Sequence, residues 1–265
     1  MAGKVSVRIG AATLVISKAE KEGRLFYDRL FGLCERVLPG CGCDIVVLPE
    51  RSAVREDQKQ PLDGAVSRRF GELAGRHGVY LVAPLAEAAG GVVYNTQAVF
   101  SPQGRVVHTY RKVHLAPGEE KDTAEGTCFE AFDMPWLRAG VLICYDNHFP
   151  EPSRCLAVQG ASVLFWPAFG DLRNLARTAT RCLDNNVYMI GSGIVDMACN
   201  QPAEVFSRGL IMDPAGKVLA EAGPADGLVT AELPLDAASG RLVPFAASDQ
   251  YLARRRPKSY QVLSG

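Results

Sequence analysis

A cysteine at the end of an apolar strand is the residue best placed for chemistry in this sequence. The run Gly140–Ile143 leads directly into Cys144, a polar turn follows, and Phe149-Pro150-Glu151 opens a predicted helix. A strand fixes the residue at its end, while the turn exposes the thiol and presents backbone amides to whatever binds there. This arrangement suits a nucleophile, although the same local pattern also fits a buried structural cysteine.

Two further strand ends carry charged residues. The apolar strand Asp44–Leu48 is followed by Pro49 and Glu50, and the predicted strand after the first hairpin ends in Tyr110-Arg111-Lys112. A thiol with an ordinary pKa of about 8.5 is mostly protonated at neutral pH, so a thiol nucleophile needs a base or a cation beside it. Taken singly, the glutamate also fits a loop carboxylate, and the lysine also fits a solvated basic pair.

Histidine and metal chemistry offer alternatives for the same thiol. Of the four histidines, His148 lies four residues after Cys144, and His114 lies beside the basic pair. A papain-like Cys–His pair would also need an orienting Asn or Asp. Cys41 and Cys43 lack the second ligand pair that a closed zinc site requires, and no glycine-rich phosphate loop precedes a helix. The sequence therefore predicts no metal and no cofactor.

Short β-branched runs, the first of them Lys4–Ile9, alternate with amphipathic stretches, which predicts a single α/β domain over residues 1–265. The predicted helical stretches are Lys18–Leu38, Pro61–His77, Phe149–Gly160 and Asp171–Asn186. Proline and glycine occupy matching places in Phe100–Arg105 and Met212–Lys217, so both segments are predicted hairpin turns. Because about ten predicted strands are many for one sheet, we expect two packed, mixed sheets with helices outside.

Composition excludes several classes of protein. The 265 residues carry 29 Lys and Arg against 29 Asp and Glu, whereas proteins that bind nucleic acid through a basic surface need a positive excess. No apolar run reaches the roughly 18 residues of a membrane helix, and residues 1–20 lack the long apolar segment of a signal peptide. The eight cysteines fall below the density of a disulfide scaffold. We therefore expect a cytoplasmic protein that acts on a small molecule, without a nucleic-acid or membrane partner.

Taken together, the three strand ends resemble the nitrilase (carbon–nitrogen hydrolase) superfamily. The matching segments are LPE ending at Glu50, YRKVHL around Lys112 and ICYDNHFPE around Cys144, in the family's order. Supporting matches are Tyr94-Asn95-Thr96, Trp166-Pro167, Arg181–Asn186 and Asp213–Gly216. The resemblance spans residues 4 to 235 and implies a four-layer α-β-β-α sandwich with a Glu-Lys-Cys catalytic triad.

The resemblance assigns that triad to Glu50, Lys112 and Cys144. Glu50 would accept the thiol proton, and Lys112 would favour the thiolate and then stabilise the oxyanion. A second glutamate often follows the lysine in the family. Glu120 aligns best, because a lysine follows it, and Glu119 is the alternative.

Substrate contacts are predicted from segments near the cysteine. The backbone N–H of Tyr145 directly follows the nucleophile and is the predicted second oxyanion donor. The side chains predicted to bind substrate are Tyr94, Asn147, His148, Trp166, Phe169 and Arg173. Family members that cleave N-carbamoyl amino acids often bind the substrate carboxylate through an arginine shortly after the cysteine, where this chain has Asn147 and His148. Arg173 is the candidate to replace that arginine.

These assignments predict a cysteine-dependent hydrolase that cleaves a small amide or N-carbamoyl compound through a thioester and releases ammonia or an amine. The alternatives are hydrolysis of a small nitrile and a scaffold of the same fold without turnover. In the resembling family the C-terminal tail lies across a partner subunit. The cationic and aromatic segment Gln250–Tyr260, within a tail of residues 245–265, therefore implies a homodimer or a higher homo-oligomer.

Overall fold

Strands and helices alternate along the part of the chain that the structure describes. The structure is a computed structural model and describes residues 4–16, 26–51, 56–169, 174–196, 208–243 and 252–260. The α-helices in these segments are α1 (Phe26–Val37), α2 (Ala65–His77), α3 (Pro150–Val158) and α4 (Leu175–Asn185). The strands are β1 (Ser6–Ile16), β2 (Ile45–Val47), β3 (Tyr80–Ala89), β4 (Val92–Phe100), β5 (Val106–Arg111), β6 (Phe132–Asp133), β7 (Arg138–Val141), β8 (Val163–Pro167), β9 (Tyr188–Asp196), β10 (Leu210–Met212), β11 (Val218–Glu221) and β12 (Gly227–Pro234).

The strands form one hydrogen-bonded path in which parallel and antiparallel pairs are mixed. The order is β5-β4-β3-β2-β1-β9-β8-β7-β6, with β12 beside β1, β10 beside β9 and β11 beside β10. We call β1 to β5 with β12 the first half, and β6 to β11 the second half. The two halves join where Thr13–Ile16 of β1 pairs in parallel with Gly193–Asp196 of β9. The pairing confirms the predicted mixture of parallel and antiparallel strands. The hydrogen-bonded path is continuous from the first half to the second, whereas the sequence predicted two packed sheets.

Both predicted hairpins are confirmed. β4 and β5 are antiparallel around a turn in which Gly104 N–H donates to Ser101 O at 2.8 Å. β10 and β11 are antiparallel around a turn in which Gly216 N–H donates to Asp213 O at 2.9 Å. Proline and glycine thus predict these turns because their backbone preferences match the turn positions they occupy.

Buried apolar side chains form three clusters on the faces of the ladder. α1 and α2 cover one face of the first half, and α3 and α4 cover one face of the second half. The remaining faces of the two halves contribute to a single cluster, which we call the shared core. Its members include Val7, Ile9, Ile45, Val47, Val82, Val99, Tyr110, Val141, Ile143, Val163, Phe165, Ile190 and Ile211. The shared core therefore determines how the first half lies against the second.

Local sequence fixes where the helices begin and end. Pro150 occupies the first turn of α3, where its missing N–H costs nothing. The Asn174 side chain caps α4 by accepting the N–H of Arg177 at 2.9 Å. Gly78 and Asn186 end α2 and α4 in the left-handed conformation, with φ of 65° and 53°. No helix in the described segments is both long enough and apolar enough to cross a membrane.

The carboxyl ends of β2, β5, β7 and β8 lie on the same edge of the ladder. β2, β1, β9, β8 and β7 are neighbours that all run parallel. β3 is parallel to β2, and the two antiparallel steps through β4 return β5 to that same direction. Parallel strands bring the residues that follow them together at one edge. The segments carrying Glu50, Lys112, Cys144 and Phe169 all follow these ends.

Candidate active site

Glu50 is a buried carboxylate held by three hydrogen-bond donors. Its Oε1 accepts from Asn95 Nδ2 and from Lys112 Nζ, each at 2.8 Å. Its Oε2 accepts from the backbone N–H of Phe169, also at 2.8 Å, and the residue is only 2% exposed. An ionised carboxylate has about four acceptor sites, so three bonds leave one site for proton transfer. Glu50 is thus fixed in place and still able to take up a proton.

Lys112 follows β5 and directs its ammonium at two carboxylates. Its Nζ donates to Glu50 at 2.8 Å and to Glu119 at 2.6 Å, and its side chain is 1% exposed. The Lys112 carbonyl accepts the N–H of Gly126 at 2.7 Å. A Cβ at position 126 would lie 2.1 Å from the Arg111 carbonyl oxygen, so a glycine is needed where the two segments pass.

The charge of Lys112 is preserved by its neighbours. Burial alone would lower the pKa of the ammonium, because a low-dielectric interior disfavours charge. The negative charges of Glu50, Cys144 and Glu119 outweigh burial and raise the pKa of Lys112 above its ordinary value. Lys112 therefore stays positive across the neutral range, within electrostatic reach of the Cys144 sulfur.

The second glutamate that contacts Lys112 is Glu119. The sequence favoured Glu120 for this position, and the structure places Glu120 elsewhere. The Glu119 carboxylate also accepts the backbone N–H of Ala116 at 2.7 Å. Glu120 is exposed, and its carboxylate accepts the N–H of Gly118 at 2.7 Å instead. Side chains of successive residues in a 3₁₀ turn point about 120° apart. Glu119 therefore faces Lys112, and Glu120, the next residue, faces solvent.

Cys144 has a strained backbone conformation at the start of a short 3₁₀ turn. Its φ is 43°, in the left-handed region that non-glycine residues seldom adopt. Such a conformation costs roughly 1–3 kcal/mol and persists only where the surroundings hold it. Trp166 Nε1 supplies part of that support by donating to the Cys144 carbonyl oxygen at 3.0 Å. The cysteine side chain itself is half-buried, as expected for a thiol exposed at an elbow.

The backbone amide of Tyr145 lies beside the thiol at the open end of the same turn. The first internal hydrogen bond of the turn is donated by Asp146 N–H to Ile143 O, at 3.0 Å. The N–H of Tyr145 precedes that first donor, in the position where a helical turn leaves its amides without an internal acceptor. The geometry is compatible with an oxyanion donor, and that role stays a prediction.

Asp146 is a site residue that the sequence reasoning missed. It is 0% exposed, and its carboxylate accepts the N–H of Ile143 at 2.8 Å and the Tyr110 hydroxyl at 2.7 Å. It also accepts the backbone N–H of His114 at 3.0 Å and pairs with His114 Nδ1 at 2.9 Å. Because the carboxylate is an acceptor throughout, Nδ1 carries the proton of that pair. In the sequence, Asp146 is a single acidic residue in the polar turn after Cys144, and its position there does not reveal that it is buried.

Two residues predicted to bind substrate make other contacts. Trp166 is 1% exposed in the core beneath α3 and α4, so it supports the nucleophile turn from behind. Tyr94 lies on the opposite face of β4 from Asn95, because successive strand residues alternate. Its ring packs 4.1 Å from the guanidinium of Arg111. Tyr94 therefore lies outside the cluster around Lys112.

The other predicted substrate residues differ in how close they come to the thiol. Phe169 reaches the cluster through its backbone bond to Glu50. Asn147 is 1% exposed, whereas His148 is half-buried with its ring 4.5 Å from that of Tyr145. Phe169 and His148 stay candidates for substrate contact. Arg173 lies outside the described residues.

Metal-ligating side chains are dispersed in this structure. Within the described segments, no group of three or more His, Cys, Asp and Glu side chains is arranged to hold a metal ion. Cys43 N–H donates to Cys41 Sγ at 3.4 Å, and burial raises the pKa of Cys43 to about 12. This pair therefore consists of a buried, protonated thiol and its loop neighbour.

Comparison with known proteins identifies the family. A model of the family "Carbon-nitrogen hydrolase" matches residues 26–240. Omega-amidase NIT2 of Homo sapiens is 31% identical over 219 residues, which cover 73% of this chain and 78% of the relative. The chain belongs to the carbon–nitrogen hydrolase family. This hydrolase therefore acts on carbon–nitrogen bonds other than peptide bonds, which confirms the predicted family and type of enzyme.

Further relatives of this hydrolase extend the comparison. A nitrilase of Pyrococcus abyssi is 33% identical over 197 residues, covering 70% of this chain and 74% of the relative. An amidase of Nesterenkonia sp. matches with a TM-score of 0.75 at 21% identity, over 98% of this chain and 97% of that one. A glutamate-to-glutamine mutant of the amidase of Nesterenkonia sp. AN1 carries the acetamide moiety of fluoroacetamide on its active-site cysteine, and matches with a TM-score of 0.77, 21% identity and coverage of 99% and 98%. At such identity the structural likeness supports the fold alone.

Replacing Lys112 by methionine is expected to destabilise this hydrolase. The substitution leaves Glu50, which is buried, next to Glu119 without the cation that compensates both. Removing one partner from a buried ion pair typically costs about 3–5 kcal/mol. The measurement is the free energy of unfolding in urea for Lys112→Met. Lys121→Met is the matched control, because Lys121 is exposed; equal stability of the two variants would contradict the buried ion cluster.

Proposed function

We propose that this protein is a cysteine-dependent amidase that hydrolyses a small amide or N-carbamoyl compound through a thioester on Cys144. The observation that carries the proposal is the buried Lys112 ammonium, which is bonded to Glu50 and Glu119; the Glu50 charge, followed by those of Cys144 and Glu119, raises its pKa above the ordinary value against the effect of burial. An acid–base group, a permanent cation and a half-exposed thiol are the parts that acyl transfer from nitrogen requires.

The first half-reaction forms the thioester and releases the nitrogen. Glu50 accepts the Cys144 proton as the sulfur attacks the carbonyl carbon. The oxyanion that develops is stabilised by Lys112 and by the N–H of Tyr145. Glu50 then returns the proton to the nitrogen as the carbon–nitrogen bond breaks, so ammonia or an amine leaves and an acyl group stays on sulfur.

The second half-reaction restores the free enzyme. Glu50 removes a proton from water as the water oxygen attacks the thioester carbonyl. The tetrahedral intermediate uses the same two donors, and collapse expels the Cys144 thiolate, which regains its proton. Glu119 touches neither sulfur nor water in this scheme. It holds the Lys112 ammonium in its direction through the 2.6 Å ion pair.

Amide hydrolysis is favoured, and nitrile hydrolysis is the second candidate. Human omega-amidase NIT2 supports the first, and the Pyrococcus abyssi relative, a nitrilase, supports the second. A nitrile carbon would be attacked by the same thiolate, but two water molecules would be consumed before ammonia and acid are both released. Both reactions end in ammonia and acid, so comparing ammonia release from a nitrile with release from the corresponding amide separates them.

We also propose the four-layer α-β-β-α arrangement and a homodimer. The layers are supported by the shared core. It is built from the faces of the two halves that no described helix covers, whereas the helices cover the other two faces. Support for the dimer is three exposed apolar side chains on the outer helices α3 and α4, namely Val158, Leu175 and Leu183. Within the tail, Leu252 packs against the buried cluster beneath these helices.

The homodimer predicts a sedimenting mass twice the 28.5 kDa of one chain. Sedimentation velocity measures this mass directly. Leu183→Glu is expected to shift the protein toward the monomer, because a charge in an apolar interface is costly to bury. A wild-type protein that sediments as a monomer at high concentration would contradict the proposal.

The principal test is release of ammonia from a panel of small primary amides, N-carbamoyl compounds and nitriles. The wild type is expected to release ammonia from at least one of them, and Cys144→Ala is expected to release none. Cys155→Ala is the matched control, because that thiol is exposed on α3 and lies outside the cluster of Glu50, Lys112 and Glu119. The Glu50→Gln variant, incubated with the active compound, should retain an acyl mass on Cys144.

Two results would contradict the amidase. One is a panel left untouched by the wild type. The other is alkylation of Cys144 by iodoacetamide no faster than that of Cys155, which would favour the scaffold alternative. The buried thiols Cys34, Cys43 and Cys182 form a natural background, because burial raises the pKa of each to about 12 and keeps them unreactive.

A further test compares Glu119→Gln with Glu120→Gln. Loss of the Glu119 charge should lower kcat by about 10²-fold, because Lys112 loses one of the groups that orient it toward the oxyanion. Glu120→Gln removes an equal charge one residue later, from an exposed carboxylate bonded only to Gly118 among its described contacts. It should leave kcat within error of the wild type. Steady-state kinetics on the best amide decides, and a larger loss from Glu120→Gln would reverse the assignment.

A further inference from the structure

Asp146 encloses the nucleophile in a ring of two hydrogen bonds. The N–H of Ile143 donates to Asp146 Oδ2 at 2.8 Å, and the N–H of Asp146 donates back to the Ile143 carbonyl at 3.0 Å. Cys144 and Tyr145 are the two residues inside this ring. The left-handed conformation of Cys144, with φ of 43°, needs such external support. The ring therefore accounts for how a strained, non-glycine residue stays at the elbow.

The same carboxylate is bonded to residues on both sides of Lys112. Tyr110, two residues before it, donates its hydroxyl to Oδ2 at 2.7 Å. His114, two residues after it, donates its backbone N–H and Nδ1–H to Oδ1 at 3.0 and 2.9 Å. Burial and the adjacent Asp146 charge raise the pKa of the Tyr110 hydroxyl, so it stays protonated and remains a donor.

Asp146 thus connects the first half of the ladder to the second at the site. Cys144 follows β7 of the second half, and Lys112 follows β5 of the first half. The Asp146 side chain is 0% exposed, so it cannot meet a substrate. Any effect on chemistry must pass through the groups it holds. Those groups are the turn around the sulfur and the segment that carries the ammonium.

We propose that Asp146 is a positioning residue, which sets the distance and direction between the Cys144 thiol and the Lys112 ammonium. The inference rests on the proposed function, in which those two groups act on one substrate. His114 is the second residue of this positioning arrangement. Among the described contacts, its imidazole makes the only side-chain bond to Asp146 from the segment that follows Lys112. Its ring is fixed in turn by stacking on Phe149, with centroids 4.1 Å apart.

The first test is Asp146→Asn. The amide keeps the size of the carboxylate but replaces an acceptor by a donor, so it cannot accept from all the groups now bonded to Asp146. We expect kcat, and the rate constant for alkylation of Cys144 by iodoacetamide, to fall about 10- to 100-fold, because displacing reacting groups slows the chemical step. KM should change little, since substrate binding is not affected. A residue with a purely structural role would lower the melting temperature and leave both rates per folded molecule unchanged.

Asp133→Asn is the matched control for that substitution. Asp133 is exposed and pairs with Arg138 on β7. The control should leave kcat and the alkylation rate at the wild-type values. Equal rates in Asp146→Asn and Asp133→Asn, both folded, would overturn the proposal.

Two substitutions at His114, each of which removes one of its two interactions, keep the proposal testable if Asp146→Asn does not fold. His114→Asn retains a donor near the position of Nδ1 and loses the stacking on Phe149. His114→Phe retains the stacking and loses the donor. Positioning through Asp146 predicts that the Asn variant keeps more of the Cys144 alkylation rate than the Phe variant does. The reverse order would overturn the proposal, because it would assign the role of His114 to packing.

The alkylation readout separates this inference from the proposed function. A wild-type protein that hydrolyses none of the amides would remove the proposed function. The order of alkylation rates among the variants would still decide whether Asp146 positions the thiol, because iodoacetamide reports on the sulfur without any turnover.

Discussion

The site depends on one buried cation shared between two carboxylates. Lys112 is 1% exposed, and it is bonded to Glu50 and Glu119 at 2.8 and 2.6 Å. Taking the charges of Lys112 and Glu50 out of water is costly, and attraction within the cluster offsets that cost only where the geometry is good and the remaining lone pairs are bonded. Asn95 and the N–H of Phe169 supply those extra bonds to Glu50. The cluster therefore holds three chain segments together because none of its members is stable in the interior alone.

The cysteine adds a second constraint, which is conformational. A φ of 43° at Cys144 is unfavourable for a side chain with a Cβ, and the surrounding bonds must offset that strain. Trp166 donates to the Cys144 carbonyl from the core of the second half, and Asp146 accepts the N–H of Ile143, the residue before Cys144. The elbow has a chemical consequence, since it places Cys144 beyond the end of β7, at the edge of the ladder where Glu50 and Lys112 also lie. A nucleophile on an unstrained strand would point into one of the buried faces.

The limits of sequence reasoning follow from the same physics. Glu50, Lys112 and Cys144 are predictable because each lies near the end of a predicted strand and the three segments together resemble the family's motifs. Parallel strands then deliver such residues to one edge. Hairpin turns are predictable from proline and glycine. The choice between Glu119 and Glu120 is not, because it depends on the rotation of one short turn. Trp166 was predicted to bind substrate, but it is buried beneath α3 and α4, and its N–H bonds to the Cys144 carbonyl.

The fold has a corresponding limit. The predicted strand Lys4–Ile9 continues in the structure to Ile16, and the last four residues of the extension, Thr13–Ile16, pair with β9. Residues 10–16 show no alternation of polar and apolar side chains, so periodicity cannot reveal the extension. β6 has two residues and is too short to show a periodic pattern in the sequence. Connection between the two halves of the ladder is therefore a tertiary property, decided by pairing and not by local pattern.

That connection explains why the chemistry and the packing of this protein are coupled. Glu50 and Lys112 stand on the first half of the ladder, and Cys144 stands on the second. Their separation is set by the shared core between the halves, where Tyr110 is both a packed side chain and a donor to Asp146. A close-packed core transmits a change in volume as a displacement of its neighbours. The distance between acid, amine and sulfur thus depends on the apolar residues of the shared core, against which Cys144 itself packs. A substitution in that core would alter the reaction by moving one half of the site relative to the other.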